Sequence, residues 1–245
     1  MKALLDPYSL KARVAPAFLV ILPVAIAIGV WIQKIEFPTV ALFGLSANVV
    51  ISCFVAERVR DQGKQKELAL WKSWGGAPTT QLLRHRNPEL SREIRSSWHQ
   101  SIQTITGSSL PSLIRESNFP NEADAVYEAA VYRLREKTRD ADKYPLVLKE
   151  NISYGFRRNL WAMKPLGIAL AAIGSLGCLV RFAADLYSDL GFVPTTGGGL
   201  AVCVFIFVSW IFGVTPDWVR KAAFEYAKRL LGASILLADS IPPKP

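Results

Sequence analysis

The chain has 245 residues, 51% of them hydrophobic and only 20% charged, with a formal net charge of +9. The charges are nearly absent from four long apolar runs, at 14–32, 39–56, 165–182 and 200–214. That excludes an ordinary soluble domain, whose core draws on apolar residues spread periodically along the chain.

Crossing a bilayer core takes about 20 mostly apolar residues as helix, and a lipid-exposed span must satisfy its own backbone hydrogen bonds. The predicted fold class is therefore all-α: a polytopic membrane protein of two transmembrane helical hairpins, four spans, with a helical cytosolic domain between them. The parts are a cytosolic tail at 1–13, hairpin one at 14–56, a basic helical domain at 57–164, hairpin two at 165–214, and an amphipathic juxtamembrane helix with a disordered tail at 215–245. Lys and Arg number nineteen in 57–164, three before the first run and five after the last, with Lys34 between the first two runs and Arg181 at the end of the third. The positive-inside rule then places both termini and the middle domain on the cytosolic side of a bacterial inner membrane.

In the first run, Ala25-Ile26-Ala27 fits a small-x-small cleavage pattern behind Lys11 and Arg13,. The run continues through Trp31 and Ile32, long enough to span, so an uncleaved first span is expected. Pro23 should kink it, and the short 33–38 turn makes an antiparallel hairpin. In the second run Gly44, Asn48, Ser52 and Ala56 recur every four residues along one side of the helix,. Such a stripe either packs closely against another helix or lines a polar path through an assembly.

Beyond Ala56 the helix should continue as a solvated, charged extension until Gly75-Gly76-Ala77-Pro78 breaks it,. Thr79 or Thr80 is expected to cap a short helix through Leu83, and Asn87-Pro88-Glu89 to start another that stops at Gly107. Asn121 opens a further helix, with Glu122 and Asp124 at its positive end. The segment 144–148 reads as extended. Arg84, Arg86, Arg92 and Arg95 with Trp98 are candidates for holding a phosphate-bearing ligand by guanidinium pairing and indole stacking. The same charges also serve as a positive-inside signal. His85 and His99 stand among arginines, and no cluster at ligand spacing accompanies them, so no metal is expected.

Arg157, Arg158, Trp161 and Lys164 alternate with apolar residues before Pro165, as expected of groups reaching lipid headgroups,. Gly167, Ala171 and Ser175 form a small-residue stripe on the third run, with Gly174 and Cys178 on the adjoining row. Asp185, Tyr187 and Asp189 are assigned to an outer loop, and Gly197-Gly198-Gly199 precedes the fourth run. The three cysteines, Cys53, Cys178 and Cys203, lie within runs and give no disulfide framework,. Thr215-Pro216-Asp217 caps the last helix, whose Val219, Ala222, Ala223, Tyr226 and Leu230 share one face. It reads as interfacial.

No nucleophile elbow, phosphate loop or catalytic set is present, so neither an enzyme nor a cofactor is expected. In overall layout the chain resembles the four-span, pore-forming membrane effectors of bacterial anti-phage defence systems. The resemblance covers architecture across the whole chain and matches no motif residue by residue. It implies a homo-oligomer in the lipid bilayer, triggered through its cytosolic domain by a protein, a nucleotide or a nucleic acid. The alternative is a membrane scaffold or regulatory subunit recruiting a soluble cytosolic partner.

Overall fold

The computed structural model describes residues 6–32, 37–188, 191 and 193–241, except for the side chains of 37–43. The described residues are all-helical, in the order α1 (Pro7–Trp31), α2 (Phe37–Trp74), α3 (Pro78–Leu83), α4 (Arg92–Thr106), α5 (Leu113–Asn118), α6 (Pro120–Lys137), α7 (Pro145–Tyr187), α8 (Pro194–Phe212) and α9 (Pro216–Asp239). Among them α1, α7 and α8 are long and apolar enough to cross a membrane. The run 39–56 lies within α2, which continues as polar helix to Trp74. The 33–38 turn, Asp189 and the 242–245 tail fall wholly or mostly outside the described residues.

Two compact units form, one from 1–67 with 155–219, the other from 68–154 with 220–245. In the apolar unit, α1 begins well before its apolar run because Asp6 caps it, accepting from the Tyr8 and Ser9 amides at 2.9 and 3.0 Å,. A π turn at Leu10–Val14 precedes Pro16, and Pro23 sits inside the helix without ending it. Close approach by α7 and α8 follows from missing side chains. A Cβ on Gly174 would lie 2.6 Å from the Pro23 carbonyl oxygen, and one on Gly199 2.8 Å from Val30 Cγ2. A Cβ on Gly167 would meet the Trp210 indole at 2.5 Å. Val20, Leu160, Ala171, Trp210 and Val214 make one core cluster; Ala27, Cys178 and Cys203 make another.

The polar unit is organised on α6, against which α3, α4 and α5 pack. Its inward face is Ala123, Tyr127, Ala130, Val131 and Leu134, all buried, with Trp98 and Ile102 among the core residues of α4. Trp71 donates to the Tyr154 hydroxyl at 3.1 Å, and the Tyr154 and Tyr226 rings stack with centroids 6.2 Å apart. These contacts tie the ends of α2, α7 and α9 together.

Several boundaries differ from expectation, each for a local reason. The helix expected at Pro88 starts at Arg92, because Asn87 makes a tight turn with the Glu89 amide and Ser91 supplies the cap to Ile94,. Ala77, not Thr79 or Thr80, stands at the cap of α3, and both threonines are buried within it. Segment 144–148 is helical from Pro145, since proline at the first helical position needs no partner for a missing N–H,. Helix α7 runs unbroken through Pro165 to Tyr187, so Asp185 lies in helix, buried and paired with Arg181 at 2.6 Å. The three glycines at 197–199 likewise lie inside α8. The apolar face of α9, instead of being left free for a membrane surface, is buried in protein at Ala222, Ala223, Tyr226, Leu230 and Leu231. Gly107, at φ 66°, ends α4 as the sequence requires,.

Replacing Gly174 with valine should cost about 1–3 kcal/mol, because the obstructing atom is backbone and cannot yield. A lowered thermal midpoint of the detergent-solubilised protein would report it. Gly198→Ala, with nothing within 4 Å of the new Cβ, should leave the midpoint unchanged or slightly raised.

Candidate functional site

Three consecutive side chains of α7 reach three different neighbours. Successive residues of an α-helix point about 100° apart, so Arg157, Arg158 and Asn159 radiate like spokes. Arg157 donates to the Trp218 carbonyl at 3.0 Å, with its guanidinium 4.9 Å from that indole. Arg158 pairs with Glu67 of α2 at 3.0 Å and donates twice to Asn159 Oδ1, at 3.3 and 3.2 Å. Asn159 donates from Nδ2 to the Ala12 carbonyl of α1. In a regular α-helix that carbonyl would be served by the amide of residue 16, and Pro16 has none.

Space for this collar comes from Gly63 on α2, where a Cβ would fall on Asn159 Oδ1, and from Gly155, where one would approach the Tyr8 hydroxyl at 2.9 Å. Lys66 donates to the Ala162 carbonyl at 3.0 Å, and Lys164 to those of Ile211 and Val214 at 2.9 and 2.8 Å. Lys164 thereby serves the negative end of α8. Arg157, Arg158 and Lys164, read as headgroup ligands, thus spend donors on helix carbonyls and a carboxylate. Trp161 packs partly buried against the Val20 cluster, with the Lys164 ammonium 5.6 Å from its ring.

The small-residue stripes also resolve into contacts within one chain. On α2, Asn48, Ser52 and Ala56 are buried, while Gly44 has open space beside it. Ser52 donates to the Asn48 carbonyl at 2.6 Å and lies 3.1 Å from its side-chain oxygen; the buried Asn48 Nδ2 has no partner among the described residues. On α7, Gly167 and Ala171 face Trp210, and Ser175 returns its hydroxyl to the Ala171 carbonyl at 2.7 Å. The Cys178 and Cys203 sulfurs lie 3.8 Å apart as free thiols.

In the polar unit the arginine cluster is largely consumed by the scaffold. Arg84 forks onto Asp124 at 2.8 and 2.6 Å and donates to the Gly75 carbonyl. Its charge is held more firmly still, first by the Asp124 hydrogen bond. Arg95 is buried and donates to the carbonyls of His85, Asn87 and Leu90. Trp98 is a core residue. Only Arg92 and half-exposed Arg86 still face outward. The structure therefore does not assemble these five residues around one ligand.

The organising acid is Glu116, which the sequence pattern does not single out. It is 2% exposed and accepts from the His85 amide at 2.8 Å, the Arg86 amide at 3.3 Å and the Tyr127 hydroxyl at 2.8 Å. Burial works against its charge, yet these donors together hold its carboxyl below the ordinary value. Burial, and then Glu116, push the Tyr127 hydroxyl up. His99 is lowered, first by burial, and its Nε2 meets the Leu83 carbonyl at 2.8 Å. Among the described residues no group of His, Cys, Asp or Glu is arranged to hold a metal ion. A groove of about 500 Å³ between the starts of α7 and the end of α9 carries Lys143, Lys228 and Arg229 on apolar walls. Two of those cations are already paired, with Asp140 and Glu225.

Compared with protein families, with curated proteins and with solved structures, the chain matches none.

Asn159→Leu should destabilise the protein by about 1–3 kcal/mol, since it removes the donor to a buried carbonyl and one acceptor of Arg158. Gly63→Val should lower the thermal midpoint as well, by displacing the same amide. Acid should act on the polar unit in two stages. Below 6.5 the unfolded His99 takes up a proton that the folded one resists, and below 4.5 the same holds for Glu116. Stability is therefore complete above 6.5 and falls as pH drops through each window. Melts between pH 8 and 4 measure it, and His99→Gln should flatten the upper step.

Proposed function

We propose that this protein is an oligomeric effector of a bacterial inner membrane, which permeabilises or depolarises that membrane when its cytosolic residues are triggered. In this reading α1, the 39–56 part of α2, the 165–182 part of α7 and α8 are four spans in two hairpins, with N- and C-termini cytosolic. Support comes from the apolar side chains these helices turn outward, including Phe54, Ile173, Leu176, Phe205 and Phe212. Lipid is the solvent such surfaces fit.

The observation that carries the reading is Asn48. An amide donor buried in an apolar helix without an acceptor costs about 1–3 kcal/mol. That cost favours a second state in which water in a polar path, or a neighbouring chain, supplies the acceptor. The collar is the means by which a rearrangement could spread. It links α1, α2 and α7 at Glu67 and Arg158, beside the points where the chain passes between its two compact units. A protein, nucleotide or nucleic-acid trigger would act on the cytosolic residues, as would be expected of an anti-phage defence component. No catalytic step or cofactor is part of this reading. The scaffold alternative keeps the same embedding but needs no second state.

Induced expression should collapse the membrane potential, read with a potential-sensitive dye, and arrest growth. Asn48→Leu, which removes the unpaired donor, should suppress both. Unchanged potential and growth at high expression, with a soluble protein co-purifying in stoichiometric amount, would replace the effector by the scaffold.

A further inference from the structure

Helix α5 is built inside out. Its one charged side chain that is buried is the acid Glu116, while Leu113 and Ile114 are 57% and 73% exposed and the following Phe119 is 54% exposed. An exposed leucine alone means little, but a buried carboxylate beside three exposed large apolar residues on one short segment is the informative inversion. The inversion is enforced. Ser112 caps the helix through the Arg115 amide, and Glu116 is held by two backbone amides and the Tyr127 hydroxyl. With Glu116 fixed inward, Ile114 is turned about 200° round the helix from it and faces outward, and Leu113 in the first turn is exposed as well.

The flanking charges are positive. Arg115 is exposed, and the Arg86 guanidinium is half-exposed, 4.0 Å from Glu116. Glu116 lies against Arg86 and takes up part of its charge, which leaves the exposed Arg115 as the cation of this segment. Exposed Leu, Ile and Phe with an exposed arginine among them complement an interface that is apolar just beneath an anionic layer. The same chain carries three helices long and apolar enough to cross a membrane, so such a surface is always at high local concentration. A second copy of the patch fits worse, since residues 113–119 bring no exposed acid to meet Arg115.

We propose that Leu113, Ile114 and Phe119 form a membrane-docking patch that inserts into the headgroup region of an anionic bilayer, with Arg115 on the phosphates. This rests on the membrane embedding of the chain but not on any pore or trigger.

The test uses the full-length protein reconstituted into vesicles, with Cys53, Cys178 and Cys203 replaced by alanine. A fluorophore is attached at Ile114→Cys or, as a control for embedding, at Phe205→Cys. With brominated acyl chains, emission from both positions should be lost. The loss at 114 should be larger with phosphatidylglycerol than with phosphatidylcholine alone and should weaken in high salt. Leu113→Ser with Phe119→Ser should abolish quenching at 114 and leave it at 205. Full emission at 114 alongside quenching at 205 overturns the docking patch, as does disulfide cross-linking of two copies through Ile114→Cys. Loss of quenching at 205 overturns the embedding instead.

Discussion

Carbonyl groups in an apolar layer have no water to turn to, so each one left without an amide must find a donor from a side chain. This chain creates that demand itself by placing Pro16, Pro23 and Pro165 within α1 and α7. The donor that answers it for Pro16 is Asn159, just before the third apolar run. Asn159 serves the Ala12 carbonyl, which Pro16 cannot, while Lys66 and Lys164 serve further carbonyls at Ala162 and at the end of α8. Arg158 does not touch a carbonyl in this set. It fixes Asn159 from one side and Glu67 from the other, and so sets the amide's orientation.

Glycine supplies the complementary half of the arrangement. At Gly63, Gly155, Gly167, Gly174 and Gly199 a Cβ would collide with an amide, a phenol, an indole, a backbone carbonyl or a valine. The absence of a side chain there is what lets helices approach closely enough for the collar to span them. Where nothing approaches, as at Gly44 and Gly198, the same residue type has no such role. Small-residue packing inside the apolar unit therefore depends on partners, not on spacing alone.

The polar unit solves a different problem with related means. Its arginines and acids are turned inward to fix loops: Arg95 gathers three carbonyls, Arg84 clamps Asp124, and Glu116 collects two amides and a phenol. Buried charge of this kind is tolerated because nearly every lone pair and proton is matched. The consequence is that a composition suggesting an anion-binding surface yields instead a rigid scaffold, with apolar residues displaced outward on α5.

Periodicity and length alone determined that the chain is helical and apolar over membrane-crossing distances. They also placed the stop at Gly107, the Thr215 cap and the apolar face of α9, because those depend on neighbours within a few residues. Pro145 and Pro88 were harder to read: proline starts a helix or a turn equally well, and at Pro88 only the competing cap at Ser91 decides. The destinations of Arg84, Arg95, Arg157 and Arg158 were not legible, since a long cation's pattern in sequence is the same whether it meets a phosphate, a lipid or a carbonyl of its own chain. Asn159 and Glu116 were passed over for the same reason. Their partners, Ala12 and Tyr127, are brought to them by tertiary packing, and a polar side chain takes its role from whatever acceptor or donor the fold puts within 3 Å or so of it.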